Sequence, residues 1–265
     1  MEKIIDALTT TWWGIAILCA LALLSFVGIS AILYRQIFKR FYDVLLSGIA
    51  ILCLSPVLLI LMVVGAIKMK GNPFFTQLRP GKVDKKTGEE KIFKLIKFRT
   101  MTNAKDKNGN LLPDDVRLTR YGKILRSTSL DELPELFNIF AGHMSIIGPR
   151  PQLVRDMVFM TEEQRARHTV SPGLTGLAQC SGRNNMTWEK KFEYDLAYIE
   201  KISLIGDIKI VFKTAISVFK REGINEDGMA TAMDFGDYLL HKNEITEEEY
   251  NQKQAEAKEI LRRVL

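Results

Sequence analysis

Two uncharged apolar runs near the start of the chain limit its fold more than any other feature. The first, Trp12 to Leu33, is about the length of a bilayer crossing. Trp12 and Trp13 stand at one end and Tyr34 at the other, where interfacial anchors belong. A signal peptide fits less well: Glu2 and Asp6 precede the run, and no small-x-small cleavage site follows it. Arg35, Lys39 and Arg40 come next, and the positive-inside rule then puts the N-terminus outside and the rest of the chain in the cytoplasm. The second run, Val44 to Ile67, is interrupted by Ser55-Pro56. Proline removes a helical hydrogen bond and clashes with the preceding turn, which predicts a kink there. Basic residues flank both ends, with Lys68 and Lys70 on the far side. A kinked spanning helix leaves one of those flanks outside. A re-entrant helix bent at Ser55-Pro56 keeps both at the acidic inner leaflet, with Ser55 hydrogen-bonding a freed carbonyl. The charge symmetry predicts re-entry.

The remaining chain is polar enough for a folded body. A length of 265 residues allows one large domain or two smaller ones, with a core that needs no disulfides. Cys19, Cys53 and Cys180 lie far apart without metal-ligand spacing, as free thiols in a reducing compartment do. The formal net charge of +6 suits anionic partners: nucleic acid, acidic lipid or phosphorylated small molecules. The sequence has no P-loop, Rossmann fingerprint or fixed-period repeat. Phe74 to Gln77 and Lys91 to Arg99 read as strands, with turn chemistry at Arg79-Pro80-Gly81 and Lys86-Thr87-Gly88. Lys97 and Arg99 share one strand face, either as solvated edge charges or facing a phosphate. Asn103 to Asp115 reads as a mobile loop.

The chemistry concentrates between Arg117 and Asn138. Arg117, Arg120, Lys123 and Arg126 recur every third position and predict a basic stripe along a helix. Ser129 with Glu132 matches a capping box, and Pro134 suits a first turn, which places Asp131 and Glu132 at the start of a second helix. A helix start favours an ionised carboxylate and also attracts phosphate. One such carboxylate can attack phosphorus while its neighbour holds Mg²⁺. Capping alone would also explain the pair.

Further along, Gly148-Pro149-Arg150-Pro151 fixes the backbone around one arginine, which suits bidentate recognition of phosphate or carboxylate. A helix is expected from Leu153 to His168, with His168 structural. Gly182-Arg183-Asn184 holds another Gly-flanked arginine. Thr187 caps a helix with Trp188, Phe192, Leu196 and Ile199 on one face. Ile208 to Phe219 is amphipathic and suits either the headgroup plane or a packed core. Thr246 with Glu249 opens a charged helix that, with Phe235 to His241, makes a C-terminal hairpin of the kind that pairs into a homodimer.

FKRFYDVLLS, the run with Ser55-Pro56, FFTQLRPG, KLIKFRTM, RYGKILRSTSLDELPELFNIF, MSIIGPRP and SPGLTGLAQCSGRN follow one another from Phe38 to about Arg221. In that order they closely resemble the bacterial sugar transferases, small monotopic polyprenol-phosphate phosphoglycosyl transferases. The resemblance implies an α+β, mainly helical fold, with a re-entrant helix over 37–70 and a cytoplasmic catalytic domain over 71–227 that has a small β-hairpin and interfacial amphipathic helices; the N-terminal transmembrane segment over 1–36 and the C-terminal hairpin over 228–265 depart from the family's minimal pattern. It implies transfer of a phosphosugar from a UDP-sugar to undecaprenyl phosphate at the cytoplasmic face of the bacterial inner membrane, with Mg²⁺ as cofactor and no nucleic-acid partner. By the motif match Asp131 is the nucleophile and forms a phosphosugar-aspartyl intermediate. Glu132, with Asp131, binds Mg²⁺. Lys97, Arg126, Arg150 and Arg183 bind the donor's anionic groups, and Ser55 and Pro56 form the membrane bend. The competing reading is a membrane-anchored scaffold with a basic face for acidic lipids, which leaves the ordered Arg and Asp-Glu motifs unexplained.

Overall fold

The computed structural model describes residues 11–182, 186–220 and 233–264. Helix α1, Trp12–Ile32, starts at Thr11, whose Oγ1 accepts the Gly14 N–H at 3.1 Å. A π-helical turn, Tyr34–Phe38, joins it to α2, Lys39–Met69. Both apolar segments are long and apolar enough to cross a membrane, and most of their large side chains are exposed. Helix α2 continues through Pro56. The proline cannot donate to the Leu52 carbonyl, and the Ser55 hydroxyl bonds that carbonyl at 2.8 Å instead. The expected use of Ser55 is therefore what the backbone shows.

The body begins with an antiparallel hairpin, β1 (Phe74–Val83) and β2 (Glu90–Phe98). Arg79-Pro80-Gly81 is not a turn, contrary to the sequence reading. Arg79 and Pro80 pair with Phe93 and Ile92, and the register slips only between Pro80 and Val83. An irregular ladder tolerates a proline. The chain reverses later, around Asp84, which accepts the Lys86 N–H, and Gly88 at φ +74°.

Then come α3 (Asp114–Arg117), α4 (Arg120–Ser127), a 3₁₀ turn over Leu130–Glu132 and α5 (Glu135–Ala141). The predicted basic stripe is broken: Thr119 caps α4 by accepting the Gly122 N–H, so Arg117 belongs to the preceding turn. The predicted capping box at Ser129 does not form either. Ser129 sits in the left-handed region at φ 55°, and its side chain caps nothing.

Strand β3, Ser145–Ile147, pairs in parallel with β4, Gly173–Thr175. Between them the single helix expected over Leu153 to His168 is two short helices, α6 (Val154–Met157) and α7 (Glu162–Arg165), and a 3₁₀ turn over Ala166–Thr169. The break has a packing cause. Val154, Met157 and Val158 serve one cluster while Met160 serves another, so the chain turns and Thr161 opens a fresh helix with Gln164. The C-terminal part contains α8 (Leu177–Ser181), α9 (Trp188–Glu200, capped by Thr187 as expected), α10 (Leu204–Lys220), α11 (Phe235–His241) and α12 (Glu247–Val264).

The main core joins Phe93 and Leu95 of β2 to Leu136 and Ile139 of α5 and to Met144, with Ala50, Ile51 and Leu54 of α2 against it. Each such burial stabilises by about 1.5–3 kcal/mol. Helix α2 touches the body near both its ends: Arg40 donates to the Ile139 and Phe140 carbonyls, and the Tyr121 hydroxyl donates to the Leu61 carbonyl. The C-terminal hairpin turns its apolar side inward. Ala257, Ile260 and Leu261 meet Val154, Met157 and Val158, while Phe235 meets Trp188 and Phe192. Helix α10 exposes Ile205, Ile208, Phe212 and Ile216. His168 is buried against Glu90, 3.0 Å from its Oε1, in the structural role expected.

Candidate active site

A cavity of about 540 Å³ opens between the hairpin, α4 and the 3₁₀ turn. Alternation along the hairpin supplies one wall: Phe75, Gln77 and Arg79 of β1 and Leu95 and Lys97 of β2 share a face, and Arg99 lies just beyond. Helix α4 supplies Arg126 and sits close because Gly122 has no side chain. A Cβ there would lie 2.0 Å from the Thr100 carbonyl oxygen. The same Thr100 accepts the Arg126 Nε–H at 3.2 Å. The turn after α4 delivers Ser129, Asp131 and Glu132, and Arg150 closes the far side.

Glu132 is the hub. Its Oε1 takes Lys97 Nζ at 2.8 Å and Arg150 Nη2 at 2.9 Å. Burial opposes its charge, but Lys97 and Arg150 overcome that and hold its carboxyl well below the usual range. Lys97 is shared: Glu135 Oε1 lies 3.0 Å from the same Nζ. Burial pushes Glu135 up to about 7, Lys97 pulls against it, and the charge of Glu132 adds to the rise. Lys97 is itself held above its ordinary value, since Glu132 and Glu135 outweigh its burial. The position of α5, and so of the dyad ahead of it, is fixed by Asn138. Its side chain accepts the Ile96 N–H at 3.0 Å and donates to the Lys94 carbonyl at 2.8 Å, completing the open edge of β2.

Asp131 differs from its neighbour. No hydrogen bond reaches its carboxylate among the described residues, although it lines the cavity. Burial raises its pKa, Lys97 pulls the other way, Glu132 adds to the rise, and Arg126 and Arg150 oppose it. Asp131 and Glu132 are therefore not held by a long helix start. Cationic side chains hold Glu132 anionic, whereas burial outweighs them at Asp131.

Of the predicted site residues, Lys97, Arg126, Arg150, Asp131 and Glu132 come together here. Arg183 lies outside the described residues. Arg120 and Lys123 point away to solvent, whereas Arg117 lines the cavity and pairs with Asp114 at 2.6 Å. Sequence reasoning missed Glu135, Asn138 and Arg79. Glu135 follows Glu132 by three, a spacing that brings both to one side. Arg79 alternates with Phe75 and Gln77, a signal hidden once Arg-Pro-Gly is read as a turn.

The cavity lining holds six cationic side chains, Arg79, Lys97, Arg99, Arg117, Arg126 and Arg150, against the carboxylates of Asp114, Asp131 and Glu132. That surplus suits a polyanion such as a diphosphate. No group of three or more His, Cys, Asp or Glu side chains among the described residues converges as a metal cage. Mg²⁺ needs only one or two carboxylates when substrate phosphates complete its shell. Asp131 and the second oxygen of Glu132, which no described residue bonds, fit that requirement.

The chain was compared with known proteins. The model of the bacterial sugar transferase family matches residues 34–221. The uncharacterized sugar transferase EpsL of Bacillus subtilis is 45% identical over 202 residues, covering 76% of this chain and 96% of that protein. The exopolysaccharide production protein ExoY of Sinorhizobium fredii is 36% identical over 204 residues, covering 70% of this chain and 87% of that one. The UDP-glucose:undecaprenyl-phosphate glucose-1-phosphate transferase of Klebsiella pneumoniae is 39% identical over 195 residues, covering 70% of this chain but only 41% of its own length. The matched span contains every cavity residue described above, and the chain belongs to the bacterial sugar transferase family.

Proposed function

We propose that this protein is a phosphoglycosyl transferase that moves a phosphosugar from a UDP-sugar to undecaprenyl phosphate, releasing UMP. The observation that carries the reading is the Asp131 carboxylate, free of hydrogen bonds among the described residues, on the wall of a cavity with a surplus of cations. An Asp131 oxygen bonds to the phosphorus that bears the sugar while the bond from that phosphorus to UMP breaks. A phosphate oxygen of undecaprenyl phosphate then attacks the same phosphorus and frees Asp131. Lys97, Arg126 and Arg150 bind and orient the donor's phosphates, and Arg99, whose guanidinium has no partner among the described residues, adds a further cation. Glu132, kept anionic by Lys97 and Arg150, and Asp131 would hold Mg²⁺, which would neutralise phosphate charge. Two polyanionic substrates repel when held together, so a covalent route in which UMP leaves first suits the site.

Both ends of α2 rest on the same body, which supports a re-entrant helix over one that leaves the body behind on crossing. The exposed apolar residues of α10 support its lying in the headgroup plane. In that arrangement the site sits at the cytoplasmic face of the inner membrane, where soluble donor and lipid acceptor meet. The test is a panel of UDP-sugars with undecaprenyl phosphate and the full-length protein in detergent or nanodiscs. Release of UMP from at least one donor, stopped by chelating Mg²⁺, is expected. No release from any donor would overturn the reading.

A further inference from the structure

Arg150 reaches Glu132 from a backbone that is held at successive carbonyls. The Pro149 carbonyl accepts the Gly173 N–H at 2.9 Å. The Arg150 carbonyl accepts Arg167 Nη2 at 2.6 Å. The Pro151 carbonyl accepts Arg79 Nη1 at 3.2 Å. The Gly148 N–H, just before them, donates to the Thr175 carbonyl at 2.9 Å. The crossing is tight enough to require glycine, since a Cβ on Gly173 would lie 2.1 Å from the Gly148 nitrogen.

Two of these grips come from arginines that are costly to bury. Arg167 is 1% exposed, bonds Asp195 of α9 through Nε at 3.0 Å and Nη2 at 2.7 Å, and leaves Nη1 without a partner among the described residues. Arg79 is anchored by Gln77 at 2.7 Å, and its Nε also lacks a partner. Burial lowers its pKa, and the nearby charge of Arg150 adds to that. Replacing a buried ion pair by apolar residues often stabilises a protein, so stability alone is a poor reason for Arg167, and among the described residues Arg79 buries its charge against neutral oxygens only. What both do geometrically is fix two successive carbonyls, those of Arg150 and Pro151, directly after the Cα from which the Arg150 side chain projects.

We propose that Arg79 and Arg167 are positioning residues that hold the Arg150–Pro151 backbone so that the Arg150 guanidinium meets Glu132 and the donor's phosphates together. The inference rests on the transferase reading. It predicts that both arginines act through Arg150, whereas a direct contact of Arg79 with the donor, or a general role in folding, would be independent of it. Double-mutant cycles separate these cases. Donor affinity is measured by titrating UDP-glucose, or whichever UDP-sugar the panel identifies, into the full-length protein in nanodiscs.

Arg79→Gln and Arg167→Lys are each expected to weaken binding about fivefold in the otherwise unchanged protein and by less than about twofold when Arg150→Ala is already present. Arg167→Lys keeps a cation beside Asp195 but cannot also span to the Arg150 carbonyl. If it fails to unfold cooperatively, Asp195→Asn, which loosens the Arg167 anchor, carries the same cycle. Equal losses with and without Arg150 in both cycles overturn the proposal while leaving the transferase reading intact. An unmodified protein that releases no UMP from any donor overturns the reading itself.

Discussion

Two buried ionic clusters in this molecule are built from similar parts and finished differently. At the junction of the two apolar N-terminal helices, Asp207 is 2% exposed and fully used: Tyr34 and Lys39 bond one carboxylate oxygen at 2.6 Å each, and Tyr198 bonds the other at 2.9 Å. One cation meets one carboxylate with every oxygen occupied. In the cavity, Lys97 is shared by Glu132 and Glu135, Arg150 is 43% exposed, Asp131 has no hydrogen bond among the described residues, and the lining has cations to spare. The first cluster is closed and joins α2 to α10. The second is open, and its unsatisfied charge is what a polyanionic ligand would complete. Pairing alone does not mark a site. An unspent surplus beside a cavity does.

The contrast can be broken most severely at Asp131. Asp131→Asn keeps the shape of the side chain but is expected to lower UMP release more than about a thousandfold, as losing a nucleophile does, and to abolish exchange of labelled UMP into UDP-sugar. Thermal unfolding should hardly change, because no described residue bonds that carboxylate. At the closed cluster the opposite split is expected. Asp207→Ala strands Lys39 and should cost about 3–5 kcal/mol of stability, read from unfolding in detergent, with donor KM unchanged in the protein that remains folded.

A subtler test uses Glu135, the carboxyl that the open cluster has to accommodate. Burial raises its pKa to about 7, against about 4.3 in an unfolded chain. The folded state then binds the proton more tightly, so this contribution to stability is complete below about pH 4 and lost as pH rises through about 7. Glu135→Gln should remove that part of the fall, worth about 3 kcal/mol at most, and flatten the change in Tm between about pH 5 and about pH 8. An unaltered slope would show that Lys97 already neutralises the carboxyl. The smallest expected effect is at Arg126. Arg126→Ala should raise donor KM about tenfold, from one lost charged hydrogen bond, with little change in Tm. Unchanged kinetics would remove Arg126 from the site.

The sequence carried the parts whose physics is local. Run length and Ser55-Pro56 announced α2 and the hydroxyl that serves the Leu52 carbonyl. Thr187 and Thr246 marked helix starts that exist. The resemblance to the family's motifs, rather than local physics, singled out Lys97, Arg126, Arg150 and the Asp131-Glu132 pair, and these residues line one cavity. What failed was decided over longer range. Ser129 and Glu132 have capping-box spacing, but Glu132 gains more from Lys97 and Arg150 than from a backbone amide, and Ser129 turns left-handed. Arg79-Pro80-Gly81 has turn composition but is held in the ladder by Phe93 and Ile92. The helix expected over Leu153 to His168 gave way to two clusters facing different ways. Asn138 was invisible because its partners, the Lys94 and Ile96 backbone, carry no side-chain signature.

The most direct measurement is capture of the first half-reaction. The full-length protein is mixed with a UDP-sugar labelled in its β-phosphate, without lipid acceptor, then quenched, digested and mapped by mass spectrometry. The account predicts a phosphosugar ester on Asp131, formed in step with released UMP and discharged when undecaprenyl phosphate is added. A protein that carries no label while lipid-linked product still accumulates would contradict it.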